Sequence, residues 1–75
     1  MNAKKGPYVV CLSNEDFRAS LIVRKIYRSL RDPAVEKRGL IRVIDESGED
    51  YLFPAALFAP IRIPEALEKR LAKAS

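Results

Sequence analysis

The feature that most constrains this chain is the stretch GLIRVIDESGEDYLFPAALFAPIRI at residues 39–63. Two short runs rich in β-branched and aromatic residues flank a Ser-Gly pair, which is the composition of a β-hairpin and its turn. Pro54 ends the second run because proline has no N–H to donate to a β-ladder. AALF then suits one tight turn and APIRI a last short strand. The sequence therefore predicts an antiparallel hairpin followed by a turn and a final strand.

Three other segments have recognisable boundaries. YVVCLSN, which begins at Tyr8, is rich in β-branched and aromatic residues and predicts a first strand. Asp32 as N-cap, Pro33 at the first helical position and Gly39 as a stop predict one or two helical turns. Pro64 opens a C-terminal helix, PEALEKRLAKA.

Residues 14–31 fit two different secondary structures. Their apolar residues recur at the i, i+3, i+4 spacing of a helix, and Ser13 to Asp16 has capping-box spacing. RKIYRSL within the same segment instead suits a strand, because it is dense in β-branched and aromatic residues. As a strand it would carry four residues on one side: Arg24, Ile26, Arg28 and Leu30. One prediction is thus an α+β fold with a helix at 14–31 packed on a small antiparallel sheet.

The order of hairpin, proline, tight turn and last strand resembles the end of a Src-homology-3-like (SH3-like) barrel. More closely, YVVCLSN, RKIYRSLRD and GLIRVIDESGEDYLFPAALF resemble a family of small, mostly uncharacterised bacterial proteins. The resemblance implies a loop at about 15–21 and a strand from about Val23 to Leu30. Our leading prediction is accordingly a mainly β fold, a small SH3-like β-barrel of about five strands with short helical turns and a C-terminal helix.

We predict three segments along the chain. Residues 1–6 form a disordered basic tail, 7–63 a single small β-barrel domain, and 64–75 the C-terminal helix. A chain of 75 residues has only a small core, so oligomerisation is an expected supplement to its stability.

The composition argues against an enzyme. The chain has no histidine, which removes histidine-based acid–base chemistry, most zinc sites and the usual catalytic triads. Asp45, Ser47 and Glu49 have the spacing of a calcium loop, but glycine is fourth rather than sixth and no acid follows at position twelve. Cys11 lies between apolar residues and is interpreted as a core residue. We predict no catalytic residue, no metal site, no cofactor and no small-molecule substrate.

The hydropathy pattern bears on location. No uninterrupted apolar run exceeds five residues, whereas a membrane-spanning helix needs about 20. No signal-peptide pattern opens the chain. We therefore expect a cytoplasmic protein without membrane contact.

Charge is distributed unevenly. Between residues 24 and 42 there are seven basic residues and only two acids, Asp32 and Glu36. The predicted hairpin turn, in contrast, contains four acids. A basic strand face with an interleaved tyrosine suits nucleic acid, while opposite charges suit contact between protein surfaces. The residues proposed for partner or nucleic-acid binding are Arg24, Lys25, Tyr27, Arg28, Arg42, Tyr51 and Phe53.

The leading functional hypothesis is a non-enzymatic binding module of a bacterial cell that mediates protein–protein interaction or self-association. The alternative is nucleic-acid binding through the basic strand face. The two hypotheses differ in salt dependence, because only nucleic acid gives a counterion-release slope that scales with the number of phosphate contacts.

Overall fold

The computed structural model describes the backbone of residues 4–74 and the side chains of residues 5–67, 69 and 70. Along the chain the elements are β1 (Lys4–Cys11), β2 (Ile26–Arg31), α1 (Pro33–Glu36), β3 (Leu40–Ile44), β4 (Asp50–Pro54), a 3-10 turn (Ala55–Leu57), β5 (Phe58–Ile61) and α2 (Glu65–Ala74). The strands form one antiparallel sheet in the order β4-β3-β2-β1-β5. This order, with the turn between β4 and β5, confirms the predicted mainly β, SH3-like arrangement.

The alternative of a helix at 14–31 is wrong. Residues 12–25 form a loop and the strand begins only at Ile26, three residues later than predicted. Along β2, Tyr27 and Ser29 are buried while Ile26 is exposed, which is the period of two of a strand. Asp16 and Arg24 also have positive φ angles of 70° and 73°, which interrupt any helix.

The first strand starts earlier than predicted. β1 begins at Lys4, inside the segment assigned to the basic tail, and residues 1–3 of that tail lie outside the described residues. The strand shifts register between Lys5 and Tyr8, where Gly6 passes close to β2. A Cβ atom added at Gly6 would lie 2.6 Å from the Oγ atom of Ser29, so only glycine fits this approach.

The core lies on the inner face of the sheet. Its buried residues come from all five strands and from the loop at 12–25: Val9, Cys11, Leu21, Tyr27, Val43, Phe53 and Phe58. The loop also contributes Phe17, whose ring meets that of Phe53 edge-on with centroids 5.1 Å apart. Because Leu21 and Phe17 anchor it, this loop is a packed part of the domain.

The elements predicted from turn chemistry lie where expected. Pro33 opens α1, and Gly39 and Gly48 have φ angles of 78° and 84°. Asp32 occupies the N-cap position but makes no side-chain capping bond. Instead, the N–H of Asp32 donates to Glu36, and its own carboxylate accepts from Arg42.

Candidate functional site

The structure separates the predicted binding residues instead of collecting them on one surface. Tyr27 and Phe53 are 5% and 1% exposed and belong to the core, whereas Tyr51 is 65% exposed. Arg28 lies on the opposite face of β2 from Tyr27. The buried ring of Tyr27 therefore presents no face on which a nucleic-acid base can stack.

Two of the predicted basic residues form ion pairs with the acidic turn. The Nζ atom of Lys25 lies 2.6 Å from Oε2 of Glu46. Nη1 of Arg42 donates to Asp50 at 2.8 Å, and its Nη2 atom donates to Asp32 at 2.8 Å. Two of the seven basic residues between positions 24 and 42 are thus paired with acids of the β3–β4 hairpin, although the two groups appear in the sequence as separate patches.

The ion pair at Glu46 extends to a buried tyrosine. The hydroxyl of Tyr27 donates to Oε2 of Glu46 at 2.5 Å and accepts from the backbone N–H of Ile22 at 2.8 Å. Burial and the Glu46 carboxylate raise the pKa of Tyr27 above its usual 10.0. Hydrogen bonds from Lys25 and Tyr27 lower the pKa of Glu46 below its usual 4.5. Glu46 is therefore a carboxylate near neutral pH, and Tyr27 is a neutral donor.

Arg28 lies beside a shallow groove on the outer face of β1, β2 and β5. Its guanidinium stacks on the ring of Tyr8 at 4.1 Å from the centroid and donates to the Tyr8 hydroxyl at 3.0 Å. The groove has a volume of about 430 Å³, and it is bordered by the start of β1, where the register shifts, and by the end of β5. Its lining includes two arginines, Arg28 and Arg62.

An exposed apolar surface occupies the end of the sheet where β1 finishes and β2 starts. It consists of four residues with exposed fractions between 38% and 57%, which we call the loop-end patch: Leu12, Ile22, Val23 and Ile26. Backbone hydrogen bonds join the two segments that carry these residues, since the N–H of Cys11 donates to Lys25 at 2.9 Å and that of Arg24 to Cys11 at 2.7 Å. Clustered exposed apolar residues of this kind are typical of interaction sites.

Arg24 lies within the same loop and carries the positive charge of the patch. Its side chain is exposed, and its backbone occupies the left-handed region at φ 73°. A non-glycine residue in this conformation costs roughly 1–2 kcal/mol. Such strain is common where a loop presents side chains for function.

From the sequence, Arg24 and Lys25 were predicted as binding residues, whereas the loop-end patch and Glu46 were not. The sequence signal for the patch is the pair Ile22 and Val23, whose spacing also fits one face of the alternative helix at 14–31. In the loop, Leu21 turns into the core while Ile22 and Val23 face outward. No local signal distinguishes Glu46 from its acidic neighbours, because its partners come from another part of the chain.

No family model, curated protein or solved structure matches this chain. The resemblance of its motifs to a family of small bacterial proteins therefore stays a prediction.

Within residues 4–74, no helix is both long and apolar enough to cross a membrane. The same described residues contain no group of three potential metal ligands of the histidine, cysteine or acidic type.

Proposed function

We propose that this protein is a non-enzymatic binding module that docks a protein partner through the loop-end patch. The observation that carries the proposal is the clustering of Leu12, Ile22, Val23 and Ile26, each at least 38% exposed, at one end of the sheet. Burying such a cluster against a partner removes apolar surface from water, which is the main driving force of protein association.

The charges around the patch define the chemistry of the partner. Lys25 is already paired with Glu46, whereas Arg24 makes no ion pair with an acid among the described residues. A partner surface that combines apolar side chains with a carboxylate opposite Arg24 complements this arrangement.

The ion pairs favour a protein partner over nucleic acid. Lys25 and Arg42 are both held by carboxylates of the same chain, which repel phosphates and compete with them for the cations. Tyr27 is buried, so the stacking contribution expected of a single-strand-binding surface is missing from this position.

Two features support a role without catalysis. The chain has no histidine to act as a general base. Its only thiol, that of Cys11, is buried, and burial raises its pKa, which disfavours the nucleophilic thiolate.

The test is a crosslinked pull-down from a lysate of the source organism, with the double variant Ile22→Glu/Val23→Glu as the probe of the patch. Ala34→Glu is the matched control, because Ala34 is exposed on α1 at the opposite end of β2. We expect wild type and Ala34→Glu to capture the same protein bands and the double variant to lose them.

A parallel sedimentation-velocity experiment separates self-association from binding of another protein. A dimer that the double variant abolishes identifies a second copy as the partner. Equal capture by all three proteins, together with a monomer at all concentrations, overturns the proposal. Binding of short oligonucleotides with a steep salt dependence, unaffected by the double variant, favours nucleic acid instead.

A further inference from the structure

Glu46 lies outside the loop-end patch but is connected to the loop and strand that carry the patch at four positions, three directly and one through Tyr27. The side chain of Glu46 pairs with Lys25 at 2.6 Å and accepts the hydroxyl hydrogen of Tyr27 at 2.5 Å. Its backbone N–H donates to the carbonyl oxygen of Ser20 at 3.1 Å. Tyr27 in turn accepts from the N–H of Ile22 at 2.8 Å, so the chain of contacts reaches the patch itself.

We propose that Glu46 is a positioning residue that holds the loop-end patch in its binding conformation, so that a residue of the β3–β4 turn sets the affinity for the partner. This inference rests on the proposed function of the patch. It adds that the exposed residues are effective only while Glu46 fixes the loop behind them.

The strength of the contacts supports this role. Hydrogen bonds to an ionised carboxylate are roughly twice as strong as those between neutral groups, and Glu46 receives one from a buried hydroxyl and one from an ammonium. A loop that is ordered before binding does not lose that conformational freedom when the partner docks. Losing the Glu46 contacts therefore lowers affinity without removing any side chain of the patch.

Other acids of the turn do not share these contacts. Asp45 is buried and bonds within the turn, where its Oδ1 atom accepts from the N–H and hydroxyl of Ser47. Asp50 pairs with Arg42. The side chain of Glu49 is exposed and has no ion pair or hydrogen bond among the described residues. Glu49 is thus a control of equal charge three residues away in the same turn.

The experiment compares Glu46→Gln with Glu49→Gln by amide hydrogen exchange of the free protein. We expect exchange at the Ile22 amide to accelerate about tenfold or more in Glu46→Gln and to stay within about twofold of wild type in Glu49→Gln. The Val43 amide, in the core of the sheet, reports global unfolding and separates it from local loosening of the loop. Tyr27→Phe removes the hydrogen bond to Glu46 and also the acceptor of the Ile22 N–H, so it should accelerate Ile22 exchange at least as much.

The binding arm uses the protein bands that wild type captures and Ile22→Glu/Val23→Glu loses. We expect Glu46→Gln to reduce their capture several-fold and Glu49→Gln to leave it unchanged. Unchanged Ile22 exchange in Glu46→Gln overturns the inference, as does faster exchange with unchanged capture.

The two proposals fail in distinguishable ways. If wild type captures no band that depends on Ile22 and Val23, the proposed function is overturned, and with it the claim that Glu46 sets affinity. Exchange at Ile22 still decides in that case whether Glu46 holds the loop.

Discussion

The β3–β4 hairpin supplies carboxylates to two ion-pair sites that look alike in charge and differ in the groups they contact. At one site Glu46 meets Lys25 and the buried hydroxyl of Tyr27. At the other, Asp50 and Asp32 flank Arg42 on the outer face of the sheet. The first site includes a core side chain and backbone groups of a loop, whereas the second joins side chains alone.

An ion pair therefore stabilises the fold more when buried neutral groups are hydrogen-bonded to it. Exposed pairs between flexible side chains contribute little to stability, because water and salt screen them. At the Glu46 site, by contrast, Glu46 accepts from the Tyr27 hydroxyl, and that hydroxyl accepts from the Ile22 N–H. Weakening either hydrogen bond leaves a polar group away from water poorly paired, which is costly. Disrupting the Glu46 site should therefore destabilise the protein more than disrupting the Arg42 site.

The largest loss of stability is expected on changing Tyr27, the buried residue of the Glu46 site. Tyr27→Ala should lower the free energy of unfolding by about 3–5 kcal/mol, because it removes a buried aromatic ring from the core. Urea denaturation followed by circular dichroism measures the change. Tyr51→Ala, at a ring that is 65% exposed, is the control and should cost about 0.5 kcal/mol or less.

If Tyr27→Ala does not fold, Tyr27→Phe preserves the test. It keeps the ring and removes only the hydroxyl, so it should cost about 1–3 kcal/mol by leaving the Ile22 N–H and Glu46 without their partner. A Tyr27→Phe protein as stable as wild type would mean that the two ion-pair sites are equivalent.

Acid should weaken the Glu46 site before the Asp50 contact of the Arg42 site. The pKa of Glu46 is held below 4.5 by Lys25 and Tyr27, and that of Asp50 is held below 3.8, chiefly by Arg42. A depressed carboxylate pKa contributes stability that is present above the unfolded pKa and is lost as pH falls through the folded pKa. Stability due to Glu46 should therefore decline below about pH 4.5, and that due to Asp50 only below about pH 3.8.

Urea denaturation across the acid range measures both losses. Glu46→Gln should reduce the loss of unfolding free energy that begins near pH 4.5. Asp50→Asn should reduce only the further loss below about pH 3.8. If Glu46→Gln loses as much stability at acid pH as wild type, Glu46 is not the source of that loss.

The Arg42 site should respond to salt more than the Glu46 site does. Arg42→Gln should destabilise the protein slightly at low ionic strength, because both of its partners are partly exposed carboxylates. Raising salt from about 0.05 to 1 M should reduce the difference from wild type, since added ions screen surface charges. For Glu46→Gln the difference should largely persist, because the weakened hydrogen bond comes from a buried hydroxyl, where added ions screen little. Equal salt sensitivity of the two variants would contradict this distinction.

The smallest effect on stability is expected at Arg24. Arg24→Gly relieves roughly 1–2 kcal/mol of left-handed strain, and the greater freedom of glycine in the unfolded chain offsets about 0.4–1 kcal/mol of that gain. The melting temperature should thus rise slightly or stay the same, while capture of the partner falls because the cation is lost. Arg18→Gly, at another exposed arginine of the loop, is the control for charge. A drop in capture of equal size for both variants would argue against a specific role of Arg24.

Much of the fold was predictable because its signals are local. Pro33, Gly39 and the Ser47–Gly48 pair mark the ends of elements through their own backbone preferences, and α1 and the hairpin lie where these residues place them. Residues 14–31 were not predictable from residue patterns in this way. Their apolar residues match a helical spacing, and strand pairing of β2 with β1 and β3 decided otherwise.

The start of β1 shows the same limit. The segment before Pro7 is short, basic and poor in apolar residues, so the sequence suggested a free tail up to residue 6. Lys4 and Lys5 nevertheless pair with Arg31 and Leu30, because a strand edge offers backbone hydrogen bonds to any residue type. Gly6 makes this extension sterically possible.

The small β-fold, its turns and the two clusters of opposite charge are predictable from the amino-acid sequence, because they follow from backbone preferences and composition. Which charges meet depends on the tertiary structure. Tyr27 and Glu46 are 19 residues apart, and Arg42 and Asp32 are 10 apart, so no local pattern pairs them. The tertiary structure also decides that Leu21 is buried while Ile22 and Val23 are exposed, since the path of a loop depends on the core it packs against.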